Sequence, residues 1–141
     1  MLTRNAWVVT GSLIAVMACA ATAVARQEGE ALYACAGTAV TEASDIGAML
    51  CDAAPTETLT RRIDIDNLQL RSGALVTEVE ADQVGQVAGL RSGDVIYRVG
   101  GVDVTDAEEA TARIALIERS SDTVVNFLRR GRPYRVKIRR P

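Results

Sequence analysis

Apolar and polar positions alternate with the period of a β-strand in several short runs of the chain. Arg62-Ile63-Asp64-Ile65-Asp66 alternates at every step, and residues 73–79 make Leu75 and Val79 available to a core, so both predict strands of a half-buried sheet. Residues 82–88 suit one short helix, ended by Gly89, which can take the left-handed conformation of a helix end, with Leu90 closing over it. Residues 95–99 read as a strand, turned at Gly100-Gly101 into a short return strand over residues 102–104. The period then changes. Ala107, Ala110, Ile114 and Ile117 recur at the spacing of one helical face, and Thr105 with Glu108 has capping-box spacing, which predicts a helix from Asp106 to about Glu118. Residues 123–128 and 134–138 form a hairpin around Arg130-Gly131-Arg132-Pro133.

The first third of the chain has another texture. Residues 26–54 are rich in alanine and glutamate, with Leu32, Cys35, Ala36 and Ala39 at helical spacing, then Ile46, Met49 and Leu50. The pattern predicts two short helices broken near residues 41–47. Pro55 pushes the residue before it out of the helical region, so residues 53–56 read as a linker. The organisation is therefore a helical segment over 26–57 and a main domain over 58–141. Residues 1–25 read as an export signal: Arg4 gives the positive start, residues 6–18 the apolar stretch, and Ala23-Val24-Ala25 a small-x-small cleavage site. Two other readings share those residues. Val16-Met17-Ala18-Cys19 resembles a lipobox that would lipidate Cys19, and the uncharged run between Arg4 and Arg26 has about the 20 residues of an uncleaved membrane anchor.

Composition narrows the function classes. A chain of 141 residues has room for one core, and 48% hydrophobic with 24% charged residues is globular. A net charge of -2 supplies no field to attract nucleic acid. Histidine is absent, which excludes a Ser-His-Asp triad, a Cys-His dyad and every His-based zinc site, so neither a catalytic residue nor a metal or other cofactor is expected. Of the three cysteines, Cys35 and Cys51 remain a single pair however Cys19 is processed, and in an oxidising compartment they read as a disulfide rather than two free thiols.

The run Ala88-Gly89-Leu90-Arg91-Ser92-Gly93-Asp94-Val95-Ile96, followed by Gly100-Gly101-Val102-Asp103-Val104, resembles the core motif of bacterial PDZ domains, with the circularly permuted strand order of HtrA-type proteases. The glycines and Asp94 have evident work in turns and caps, so they mark the fold and not a site. The resemblance implies an α+β fold: a small, partly open β-barrel or sandwich of about five or six strands with two helices, here preceded by the short helical segment. It also implies binding by β-augmentation, in which an extended peptide adds a strand beside one sheet edge in a groove flanked by the long helix. Transferred by position, the helix side is Ala107, Thr111 and Ile114, the strand side Ile63 and Ile65, and the carboxylate loop residues 59–62, with Leu59, Arg61 and Arg62. That loop normally holds a glycine between apolar residues so that N–H groups converge on an anion. Residues 52–72 contain none, so Arg61 and Arg62 would have to supply charge-assisted bonds, and an internal strand becomes an alternative to a free C-terminus.

The basic residues Arg129, Arg130, Arg132, Arg135, Lys137, Arg139 and Arg140 alternate in part with Val136 and Ile138, the pattern of a strand with one solvated face; contact with anionic lipid is the weaker reading. The function expected is a non-enzymatic adaptor of a Gram-negative envelope, exported to the periplasm, that binds an envelope protein or peptide such as a protease or secretion component. Membrane association through the N-terminus is a further expectation. The alternative is a structural part of a secretion complex, since the domain also resembles the PDZ of the type II secretion protein C.

Overall fold

The computed structural model describes residues 30–141. The export signal, its lipobox alternative at Cys19 and the anchor alternative lie outside those residues. Among the described residues, eight strands and three helices follow one another as β1 (Tyr33–Cys35), β2 (Thr41–Ala43), β3 (Ala48–Pro55), α1 (Glu57–Arg62), β4 (Ala74–Val79), α2 (Val84–Ala88), β5 (Val95–Val99), β6 (Val102–Asp103), α3 (Ala107–Ala115), β7 (Asp122–Arg129) and β8 (Arg132–Arg139). The sheet runs β1-β3-β4-β5-β7-β8, with β2 also paired to β3 and β6 to β5. Every pairing is antiparallel and the sheet stays open.

Both faces of this sheet are covered, which the alternation along its central strands records. Ala74, Val76, Ile96 and Phe127 enter one apolar cluster together with Ala107, Ala110 and Ile114 of α3. Their neighbours Leu75, Val95, Tyr97 and Leu128 enter a second cluster with Tyr33, Cys51, Leu59 and Leu68. A side-chain period of two with both faces buried gives the near-continuous apolar runs of β4 and β5.

From β4 onward the order of elements agrees with the sequence pattern, with α3 ending at Ala115, three residues short of Glu118. Gly89 ends α2 at φ +104°, a conformation that a side chain would strain. α3 is capped one residue later than the spacing suggests: Asp106 accepts the Glu109 N–H at 2.8 Å, and the Glu109 carboxylate reaches past the cap to accept the Thr105 N–H at 2.8 Å. Asp94 is buried (1% exposed) and accepts from the Arg91 N–H at 2.8 Å and from Arg129 Nε and Nη2 at 2.9 and 2.8 Å. Arg129 Nη2 also reaches the Gly89 carbonyl at 2.7 Å, so one guanidinium joins β7 to the end of α2. The hydrogen bonding to Asp94 pushes the Arg129 guanidinium above its ordinary range.

Two expectations are corrected. The two short helices expected over 26–54 are absent from the described part of that segment, because residues 33–55 carry β1, β2 and β3, and helix begins only at Glu57. Alanine at helical spacing is a weak prior, and burial of Ala43, Ala48 and Leu50 against the sheet overrides it. Nor are residues 62–66 a strand. Thr56 caps α1 by accepting the Leu59 N–H, and the following residues continue in turns held by the Asp66 N–H on the Arg62 carbonyl at 2.9 Å and by an Arg62–Asp66 ion pair at 2.6 Å. Asn67 at φ +52° and the Leu68 N–H on the Ile63 carbonyl close that end.

Candidate functional site

β3 is paired on both edges. Ala48, Met49 and Leu50 face Val79, Glu78 and Val76 of β4 on one side, and Ala43, Glu42 and Thr41 of β2 on the other. Farther along, Ala53, Ala54 and Pro55 pair with Cys35, Ala34 and Tyr33 of β1. One peptide group shows the two directions: the Ala53 N–H donates to the Gly73 carbonyl at 3.0 Å, while the Asp52 carbonyl accepts from the Ala36 N–H at 2.9 Å. The chain's own N-terminal strands therefore run along the edge of β3 that β4 leaves open.

α3 flanks β2 on the same side of the sheet. Its distance from β3 is fixed at one end by Asp52, whose Oδ1 accepts the Ala107 N–H at 2.9 Å, a carboxylate at the positive end of the helix. At the other end Arg140 donates to the carbonyls of Ala115 and Ile117, both at 3.1 Å, and pairs with Asp45 at 2.6 Å. Asp45 belongs to the turn over residues 44–47 that joins β2 to β3. Within that turn the Ile46 N–H donates to the Ala43 carbonyl at 3.1 Å and the Gly47 N–H to the Ser44 carbonyl at 3.2 Å. Gly47 stands at φ +67°, and a side chain there would collide with Gln83, so the turn requires glycine twice over.

The residues expected to act together divide between the two faces. Ala107 (3% exposed) and Ile114 (1%) lie on α3 in the first cluster, and Thr111 shares that helix with a buried hydroxyl that has no hydrogen-bond partner among the described residues. Leu59 is buried in the second cluster, Arg61 pairs with the exposed Glu30 and Glu57, Arg62 pairs with Asp66, Ile63 packs on the second cluster, and Ile65 is 82% exposed. They do not face α3, and the assignment of a strand and carboxylate loop to residues 59–65 is corrected. The strands packed against α3 are mainly β2, β5 and β3, and the apolar-Gly-apolar run Ile46-Gly47-Ala48 leads into β3. That tripeptide, directly before a run ending at Pro55, is the signal that could have located it.

Cys35 and Cys51 are joined in a disulfide with Cα atoms 5.5 Å apart, fastening the end of β1 to the middle of β3. An open cleft of about 640 Å3 lies elsewhere, between Leu32, Tyr33, Arg62, Gly93, Leu128 and Arg130. Burial raises the Tyr33 phenol, which donates to the Gln69 carbonyl at 3.0 Å and accepts the Arg71 N–H at 3.1 Å, so this hydroxyl ties β1 to the loop after α1. Of the basic run, Arg129 and Arg140 have structural partners, whereas Arg135 and Lys137 are exposed on β8, the strand at the end of the sheet. Among the described residues no group of three or more metal-ligating side chains comes together.

Comparison with known proteins identifies part of the chain. The family model for the PDZ domain matches residues 58–127. The periplasmic pH-dependent serine endoprotease DegQ of Escherichia coli (strain K12) is 32% identical over 72 residues, which are 51% of this chain and 16% of that protein. The match thus spans about a sixth of the relative's length. Among solved structures, the HtrA3 PDZ domain bound to a phage-derived ligand superposes with a TM-score of 0.54 at 21% identity, covering 68% of this chain and 84% of that one. The HtrA-type protease AlgW with a decapeptide gives 0.53 at 20% identity, over 68% of this chain and 29% of that one. These two likenesses are of fold, and they agree with an open antiparallel sheet carrying a few helices. Over residues 58–127 the chain is therefore a PDZ domain, homologous to those of HtrA- and DegQ-type proteins.

Proposed function

We propose that this protein is a non-enzymatic peptide-binding module of the bacterial periplasm, which takes an extended segment of another envelope protein as an added strand between β3 and α3. The observation that carries the reading is β2: an extended segment already lies on that edge of β3, in antiparallel register, with α3 beside it. Main-chain pairing of this kind gives affinity, and the side chains of the flanking helix give selectivity. The bound ligands of the HtrA3 and AlgW structures support the same mode by analogy. The disulfide and the periplasmic naming of the curated relatives support the compartment.

The helix side of the groove in this reading is Ala107, Thr111 and Ile114, and the strand side is Ala48, Met49 and Leu50. A peptide library screened against the full chain, with each hit measured against Thr111→Arg, tests it. A long charged side chain at the middle of α3 is expected to weaken selected peptides at least about 10-fold, as loss of a hot-spot contact would, in protein shown by its thermal melt to be folded at the assay temperature. Unchanged affinity in that variant would contradict the groove.

A further inference from the structure

β2 differs from the other strands of the sheet in how it is held. It has three residues, of which Ala43 is buried while Glu42 is exposed, and residues 36–40 before it are all exposed. Both its ends are anchored to β3, through the disulfide at Cys35 and through the turn over residues 44–47. The turn is latched to α3 from outside the core by the Asp45–Arg140 pair, whose side chains are 28% and 26% exposed. The N–H groups of Ile46 and Gly47, at the head of β3, are taken by the carbonyls of Ala43 and Ser44. Thr111, on the helix that flanks β2, keeps a buried hydroxyl without a partner among the described residues.

We propose that residues 36–45 are a displaceable internal ligand: they occupy the groove in cis, and an extended segment of another polypeptide binds by exchanging with β2. This rests on the groove between β3 and α3 proposed above and adds its regulation. The geometry of exchange follows from the anchors. Cys35 stays in place, and so do Ile46, which is 1% exposed in the core, and Gly47, since their carbonyls accept the Gly85 and Glu80 N–H groups at 2.8 and 2.7 Å; the loop between Cys35 and Ile46 lifts as a flap, which breaks the Asp45–Arg140 latch and frees the edges of Ala48 and Leu50. Lifting also frees the amides of Ile46 and Gly47 for an incoming carbonyl or carboxylate. The incoming segment carries a small apolar residue at the position of Ala43, which is 2% exposed in the cluster that includes Ala107, Ala110 and Ile114. A tethered strand competes at an effective concentration on the order of millimolar, so a partner engages only when it outpairs that tether or when the flap is loosened. A latch opened by a local, sub-global motion is the physical form of such a gate.

The resident strand supplies its own probe. A fluorescein-labelled peptide copying residues 37–44, acetylated and amidated, is titrated against the full chain, the surface variant Asp45→Ala and the strand variant Thr41→Pro, each checked for folding by its thermal melt. Binding is expected to tighten at least about 3-fold in Asp45→Ala and about 10-fold in Thr41→Pro, since proline cannot donate to the ladder, and to be lost when Thr111→Arg is added. Affinity that is equal in all three proteins, or undetectable in all three, overturns the proposal. Amide exchange in the unsubstituted protein gives a second reading. The amides shared by β2 and β3 should exchange at least about 100-fold faster than those shared by β7 and β8, and exchange of both at one rate would mean that the flap opens only on global unfolding, which also overturns it. The underlying groove is judged separately. Library peptides that bind beside α3 with the same affinity for all three proteins would leave the groove standing and sink the internal ligand, whereas peptides that bind without regard to Thr111→Arg would sink both.

Discussion

Replacing Asp94 by alanine is expected to lower the melting temperature by roughly 10 °C or more. The carboxylate is 1% exposed and receives two bonds from Arg129 and one from the Arg91 N–H, all between 2.8 and 2.9 Å. Removing one member of a buried ion pair leaves the other charge uncompensated and costs about 3–5 kcal/mol. In a domain of this size each kcal/mol moves the midpoint by about 4 °C or more. The Arg129 side chain is 24% exposed, so water relieves part of that cost and the lower end of the range applies. Thermal melts of Asp94→Ala, Arg129→Met and the double variant measure the effect. The double variant should lose less than the sum of the singles by at least about 1 kcal/mol, and strict additivity would mean that the two groups do not stabilise each other. Any effect on binding is indirect, because the pair holds the end of α2 and the start of β5, not the groove.

Reducing the Cys35–Cys51 disulfide is expected to cost about 3 kcal/mol, in the chain-entropy estimate for a cross-link of 16 residues' separation. The loss should be unevenly distributed. Cys51 is buried in the second apolar cluster at the centre of β3, and Cys35 ends the first strand laid along β3. Protection against amide exchange should therefore fall most at residues 33–55 and least in the β7–β8 hairpin, whose strands are paired over their whole length. Urea unfolding with and without dithiothreitol measures the first part, and amide exchange in the reduced protein the second. A midpoint unmoved by reduction would mean that strain or residual structure offsets the cross-link.

The parts of the fold that sequence makes legible are those decided within a few residues. Gly89, the turn at Gly100-Gly101 and the apolar stripe of α3 are local signals, and the elements they delimit stand where the pattern puts them. β3 is not decided locally. Its alanines read equally as helix, and only the pairing of Ala48–Asp52 with β4, together with burial of Leu50, selects the extended form. Residues 62–66 err in the opposite direction: their perfect alternation belongs to a capped helix end, where Ile63 packs inward and Ile65 is left in solvent. The two departures are linked, because a strand over 62–66 puts the carboxylate loop at 59–62, well past Gly47. The helix of the proposed groove is legible for the same reason as the rest of the local structure, and its proposed strand side is not. That the edge of this strand is already filled has no sequence signal at all, since three residues such as Thr41-Glu42-Ala43 carry no detectable period.

The central claim is the location of the groove, and the most direct test is to observe a peptide in it. A library-selected peptide is added to the 15N-labelled full chain carrying Asp45→Ala, and its contacts are mapped by NMR. A groove between β3 and α3 predicts cross-strand contacts from the peptide to Ala48–Leu50, side-chain contacts to Thr111 and Ile114, and release of Thr41–Ala43 from their pairing with β3. Contacts confined to the cleft around Tyr33 and Arg130, or to the β7–β8 hairpin, with β2 still paired to β3, would contradict it.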